Sequence, residues 1–450
     1  MIFKIKPIAA LLLIGASFVI TPVSCQSLKN TGKSTTENSI GIQKNLTPGV
    51  FKVVGVGYQG PSQKEIDTLP VFTVNPSSNS TKEINKAIKD ASHSKNGGKV
   101  IISAGTYLVD EITLQSNVHI VLRAGVRLVA DQTDPKRVNQ TKIVFSIGSE
   151  SAVENVSIIG EGKDENRPSI KYVRENSAPK KGGSRAFSIG RVSNLFIQNL
   201  VIEDDQTRFS GVAFAFQKGD ESANGRAIDV TVDNVQQNNA SYGYGLIQAN
   251  TGANMLLCNL VCSGGVAARI ETDNRGREEQ IKVGVDNIRI ENVTSIKGKC
   301  AVYFKPHNLV SGNVTVDGAH SIGSQLTIEI RDGREGGRFG VDSWIKNVTA
   351  VYTLDAPVHF SGRSSIPKCL LTYFKEDIMA DADNKGVRQG PSIAVIGDYV
   401  GQIKIDKTTV SASVPKNTAP DNTVAARALI VTKDAYRGND ADKQCGDKAY

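Results

Sequence analysis

The chain is 450 residues long and 39% hydrophobic, yet only 6% aromatic, with 42 glycines, three methionines and a single tryptophan. That is ample apolar material for a large core, and the balance reads as β-rich with many turns. A formal net charge of +8 points to a polyanion (nucleic acid, anionic lipid or acidic polysaccharide) or to solubility alone.

The N-terminus narrows that choice. Residues 1–6, "MIFKIK", are basic, and "PIAALLLIGASFVIT" is an apolar run too short for a comfortable membrane span. Together they read as a secretory signal over residues 1–24, which argues against a nucleic-acid partner. The run ends in "PVSC", with small residues ahead of Cys25 and a Ser/Thr/Asn/Lys-rich stretch to residue 48. This resembles a bacterial lipoprotein signal, with Cys25 lipidated and residues 25–48 as a flexible tether. Simple cleavage and release is the competing reading. The expected location is extracellular or on the cell surface or outer membrane, with membrane contact only through the anchor.

A parallel β-helix is expected over residues 49–370. At its start, "NSTKEINKAIKDASHSKNGGKV" places Ile84, Ala87, Ile88 and Ala91 at helical spacing, with Ser80 or Thr81 as the cap. A short amphipathic helix there would cover the open end of a solenoid. The following "GGKVIISAGTYLVDEITLQSNVHIVLRAGVRLVAD" reads as three strand runs. This opening resembles that of pectin-lyase-like β-helix enzymes, a superfamily acting mostly on acidic polysaccharides.

One pattern then recurs: "ENVSIIGEG", "SNLFIQNLVI", "IDVTVDNVQQ", "NMLLCNLVCS", "DNIRIENVTS" and "SGNVTVDGAH". Each is a short run of alternating aliphatics, then Asn or a small residue at a turn, then a second short strand. Unequal spacing with no room for long helices fits a right-handed parallel β-helix. A β-sandwich would need two-residue hairpin turns, which are largely missing. Five cysteines follow Cys25; Cys258, Cys262 and Cys300 read as small buried apolar residues, and no His or Cys spacing suggests zinc. A Cys369–Cys445 disulfide stays open. Residues 371–450 are less regular and are expected to form C-terminal coils and a cap.

Stacking the equivalent strands puts polar residues on one face. "GLIQAN" offers Gln248 and Asn250; "ARIETD" offers Arg269, Glu271 and Asp273; "AVYFKPH" offers Tyr303, Lys305 and His307. "LTIEIRDG" offers Glu329 and Arg331, and "VHFSGR" offers His359, Ser361 and Arg363. Coils lie about 4.8 Å apart, so these would form a continuous ladder. A polar exposed sheet face is usually just solvated; the mixture of paired carboxylates, a histidine and several cations is what suggests a cleft. Residues i and i+2 of a strand start about 6.5–7 Å apart. A retaining glycosidase needs its carboxyls about 5–5.5 Å apart and an inverting one about 6.5–9.5 Å, so spacing leans towards inversion.

The Glu-Thr-Asp of "RIETD", with Gln248 one coil earlier and His307 one coil later, resembles the active-site set of the iota-carrageenases, glycoside hydrolase family 82. Over about residues 68–365 the resemblance implies a β-helical, inverting endo-hydrolase acting on β-1,4 bonds of a sulfated red-algal galactan, iota-carrageenan. By motif, Glu271 would be the general acid and Asp273 the base that activates water, with Gln248 and His307 holding water, substrate or the carboxylates. Arg269, Arg275, Arg277, Lys305, Arg331 and Arg363 are candidate sulfate contacts, which guanidinium geometry suits, and Tyr303 lines the same face. A further acidic residue is either Glu329 or Glu335. The segment 308–365 reads as ordinary coils, with no inserted lid. No cofactor is required, a structural Ca2+ or Na+ is left open, and a monomer is expected. The alternatives are another β-helix enzyme acting on acidic polysaccharides or a non-catalytic glycan-binding β-helix. Polygalacturonases need "NTD", a paired "DD", "HG" and "RIK", which this chain lacks in order, and "RIETD" fits a calcium-dependent pectate lyase poorly.

Overall fold

Short strands alternate between sheets because the chain turns a corner every few residues and stacks on itself. A computed structural model describes residues 57–130, 142–172, 183–272, 283–359, 366, 370, 373–379, 386–414 and 429–432. Among these, strands form a long 15-stranded parallel sheet, a 10-stranded parallel sheet and a small 3-stranded antiparallel sheet. The result is a parallel β-helix with a capping helix at its N-terminal end, as the repeat pattern implied.

The recurring asparagines make the corners. Asn199, Asn234, Asn259, Asn292 and Asn347 all have φ between +49° and +60°, and so do Asn155 and Asn194 five or so residues before the next corner. Asparagine tolerates this left-handed region because its short side chain bonds locally. The side chains also bond from coil to coil: Asn194 to Asn155 at 2.8 Å, Asn234 to Asn199 at 2.9 Å and Asn292 to Asn259 at 2.8 Å. Between corners, inward residues stack in register: Ile158, Ile197, Val232, Leu257, Ile290, Val316 and Ile345 are consecutive partners, each fully buried. Cys258, Cys262 and Cys300 are buried thiols, and that of Cys258 donates to Asp233 Oδ1 at 3.4 Å.

The helix Ser80–Ser92 buries Ile84, Ala87, Ile88 and Ala91. It packs so closely that a Cβ on Gly98 would lie 2.8 Å from Cβ of Ala91. Its N-cap, however, is Asn79, not Ser80 or Thr81. The Ser80 hydroxyl donates to the Ser77 carbonyl instead, and the Thr81 hydroxyl accepts from the Asp110 amide. A local bond engages Ser80, and a tertiary contact engages Thr81. The stretch expected to hold three strands holds five, Gly98–Ile102, Gly105–Val109, Ile112–Thr113, Val118–Leu122 and Val126–Ala130.

Two further differences appear. Residues 57–70, including a six-residue helix Gln63–Thr68 with a Ser62–Glu65 capping box, lie against the outer face of the long sheet. Gly57 abuts Thr231 and Leu256, and Gly60 abuts Phe196, which leaves Thr231 and Leu256 buried. The strand Ala356–His359, expected as a fifth rung of the polar ladder, pairs antiparallel with Val387–Gly390 in the small sheet. Ile396–Asp398 takes the rung beside Ile328–Ile330 instead. Segment 308–365 therefore is not all ordinary coils, and the small sheet joins residues on both sides of position 370. Strands Lys404–Ile405, Val410–Ser413 and Ile430–Thr432 continue both large sheets.

Candidate active site

Alternation on four parallel strands builds the site. Gly245–Ala249, Val266–Glu271, Cys300–Lys305 and Ile328–Ile330 are neighbours in the 10-stranded sheet. Their inward residues, including Ile247, Ala268, Ile270, Val302, Phe304 and Ile328, are fully buried in the core. Their outward residues fall in register: Gln248 beside Arg269, Arg269 beside Tyr303, Tyr303 beside Glu329. In the next row Glu271 sits beside Lys305. The polar ladder expected from sequence is thus present over these four strands.

Arg269 holds Glu271 from one side. One guanidinium nitrogen lies 2.6 Å from Glu271 Oε2, another donates to the Gly243 carbonyl at 2.6 Å, and the group sits 5.6 Å from the Tyr303 ring centre. His307 holds it from the other, its Nε2 3.1 Å from Glu271 Oε1. His307 follows the strand and Pro306, takes φ +48° and is 1% exposed. Burial, the largest single influence on Glu271, favours the neutral acid. The His307 hydrogen bond and the charges of Arg269, His307 and Lys305 together outweigh it and hold the carboxyl down to about 2. In this arrangement Glu271 is a carboxylate.

Glu329 is fully buried. It contacts Lys299 Nζ at 2.9 Å and the Arg331 guanidinium, and those two charges keep it ionised against burial. It therefore anchors two cations and is shut off from a glycan at the surface. Glu335 is exposed, in a left-handed turn of the loop that follows. Tyr303 is 6% exposed and meets both Arg269 and Lys299, whose Nζ lies 3.9 Å from the ring centre. The Gln248 amide donates to Asn250 Oδ1 at 3.2 Å. Asp273, Arg275, Arg277, Arg363 and Cys25 lie outside the described residues.

Lys299 was missed by sequence reasoning. It stands one residue before the strand, and alternation would not have found it, because Ala301 and Val302 are both buried in the core. Arg269, Lys299, Lys305 and Arg331 outnumber Glu271 and Glu329 here, leaving the face positive. Among the described residues, no cluster of three or more His, Cys, Asp or Glu is arranged to hold a metal ion.

No protein-family model matches the chain. An iota-carrageenase of Zobellia galactanivorans is 28% identical over 324 residues, covering 71% of this chain and 62% of that protein. One of Alteromonas macleodii is 30% identical over 272 residues, covering 59% of this chain and 52% of that protein. The chain spans little more than half the length of these curated relatives. Among solved structures, a 1,3-α-1,4-β-D-galactose-4-sulfate-3,6-anhydro-D-galactose-2-sulfate 4-galactohydrolase matches with a TM-score of 0.67 at 22% identity, over 84% of this chain and 93% of that one. A family GH82 iota-carrageenase from A. fortis matches with a TM-score of 0.67 at 21% identity, over 83% and 91%. An iota-carrageenase complexed to iota-carrageenan fragments matches with a TM-score of 0.64 at 21% identity, over 84% and 93%. The β-helical body is thus similar in sequence to curated iota-carrageenases and in fold to solved ones.

Proposed function

We propose that this chain is an exported, endo-acting glycoside hydrolase that cleaves the β-1,4 linkages of iota-carrageenan with inversion. The observation that supports this reading most is Glu271, gripped by Arg269 and His307 on a cation-lined face of a β-helix that resembles iota-carrageenases. Glu271 gives its proton to the leaving glycosidic oxygen. Asp273 takes a proton from the water that attacks the anomeric carbon from the opposite side, so one water is consumed and the configuration inverts. Arg269, Lys305 and Arg331, with Arg275, Arg277 and Arg363 beyond the described residues, meet the sulfate esters as charge-assisted hydrogen-bond donors. Glu335 borders the same face from its loop, and Gln248 positions water or substrate.

The acid role needs a proton that the unliganded arrangement withholds. A sulfate ester competing for Arg269 weakens one of the interactions that hold the Glu271 carboxyl down, while burial, which favours the neutral form, remains. The carboxylate of Asp273, two residues on, acts in the same direction. Substrate binding thereby loads the acid. The first 48 residues serve export and tethering, with Cys25 as the lipidated residue, and the protein acts as a monomer that needs no cofactor; a structural Ca2+ or Na+ would be a stabilising ion only.

A reducing-end assay on iota-, kappa- and lambda-carrageenan and on polygalacturonate tests this reading. New ends from iota-carrageenan alone are expected. Equal rates on polygalacturonate would overturn the substrate assignment, and binding without new ends would favour a non-catalytic glycan-binding protein.

A further inference from the structure

The backbone of His307 is clasped by a loop from the next coil. His307 occupies a left-handed conformation, φ +48°, uncommon for a residue with a side chain. Its carbonyl accepts the Arg334 amide at 2.6 Å, and the Gly337 amide closes the turn by donating to the Arg334 carbonyl at 2.8 Å. Gly337 lies directly against the same peptide: a Cβ there would stand 1.9 Å from the His307 oxygen, 2.6 Å from its carbonyl carbon and 3.0 Å from Cα of Asn308. Gly333 stands behind it, its would-be Cβ 2.0 Å from the Gly337 oxygen. The two segments then stay joined, with the Arg338 amide donating to the Leu309 carbonyl at 2.9 Å and the Ser311 amide to the Arg338 carbonyl at 2.8 Å.

These contacts are all between backbone atoms, which cannot swing aside as a flexible side chain would. Any atom added at Gly337 moves the His307 peptide. Because the imidazole is fully enclosed and its Nε2 reaches Glu271 at 3.1 Å, moving that peptide moves the hydrogen bond. We propose that Gly337 is a positioning residue, and that the 333–338 loop sets the geometry of the His307–Glu271 pair from behind. The proposal rests on the reading of Glu271 and His307 as part of the active site. It also accounts for the run "DGREGG", which the functional reading used only for Glu335.

The test compares two neighbouring glycines in the full chain. Gly336 has φ +85° and open space around its would-be Cβ, so Gly336→Ala strains the same turn without touching His307. Gly337→Ala is expected to lower kcat on iota-carrageenan at least about tenfold while KM stays near wild type, since a displacement near 1 Å costs on the order of 10² in rate. In 1H–15N spectra of the five histidines, with His307 assigned by its loss in His307→Gln, the His307 signals should shift in Gly337→Ala and stay in Gly336→Ala. Should Gly337→Ala not fold, Gly333→Ala, whose Cβ would press on the Gly337 oxygen and stand 2.9 Å from the His307 oxygen, gives the same two readouts. Equal kcat and unmoved His307 signals in both alanine variants would overturn the clasp. A wild-type chain inert on iota-carrageenan would sink the functional reading instead, and the spectra would still decide the clasp.

Discussion

Replacing Glu271 by Gln should change how stability depends on pH, independently of any catalytic assay. Glu271 falls from the usual 4.5 to about 2, and both it and Arg269 are largely buried, at 11% and 18% side-chain exposure. A folded-state value below the unfolded one means that ionised Glu271 stabilises the fold above about pH 4.5, and that this contribution drains away as pH falls towards 2. The shift corresponds to about 3 kcal/mol at neutral pH, of which about 2 kcal/mol is gone by pH 3. The chain has one tryptophan, Trp344, 3% exposed, so its fluorescence reports urea unfolding. Wild type should exceed Glu271→Gln by about 3 kcal/mol at pH 7, and the gap should narrow to about 1 kcal/mol by pH 3. A gap that stays constant between pH 7 and pH 3 would show that Arg269 and His307 do not hold Glu271 as described.

Glu329→Gln should destabilise by about 3–5 kcal/mol, the cost of leaving a buried charge without its counter-ion, here chiefly Lys299, because Arg331 is 41% exposed; unfolding within about 0.5 kcal/mol of wild type would contradict the Lys299–Glu329 pairing. Glu271→Gln and Asp273→Asn should each lower turnover at least about 10²-fold while binding of iota-carrageenan persists, and near-normal turnover in Asp273→Asn would mean that another group is the base. NMR of the first product should show the α-anomer from the β-linkage; the β-anomer would rule out the acid and base roles. Cys25→Ala should release the protein from host membranes, whereas a wild-type mature N-terminus beyond residue 25 would rule out the lipid anchor.

The fold was legible because its determinants are local and repeated. Each coil carries its own alternating aliphatics, as in Leu195, Ile197 and Val230, Val232, and its own corner asparagine, Asn199 at φ +60° or Asn234 at φ +51°. Position within the repeat fixes the face of each side chain, so Arg269, Glu271, Tyr303 and Lys305 could be placed on one outward face without knowing any contact. Charge state was not legible. The motif assigned Glu271 the role of general acid, but the Arg269 contact, the His307 bond and the burial that compete over Glu271 depend on distances that parity does not supply.

What failed does so for a common reason: the element's partner is chosen far along the chain. "VHFSGR" has the same alternation as a ladder rung, yet Ala356–His359 joins Val387–Gly390, because a short strand's own pattern says which face is apolar and not which edge it will meet. Thr81 has the chemistry of a helix cap, but its hydroxyl receives the amide of Asp110, 29 residues away. Gly337 makes the point most sharply. Its φ lies outside the left-handed region, so no local turn demands glycine there; what demands it is the carbonyl of His307, brought alongside by one coil of solenoid. A glycine required by proximity leaves no signal in its own neighbourhood, so a reading of residues one coil at a time finds the groups that do chemistry and overlooks those that hold them in place.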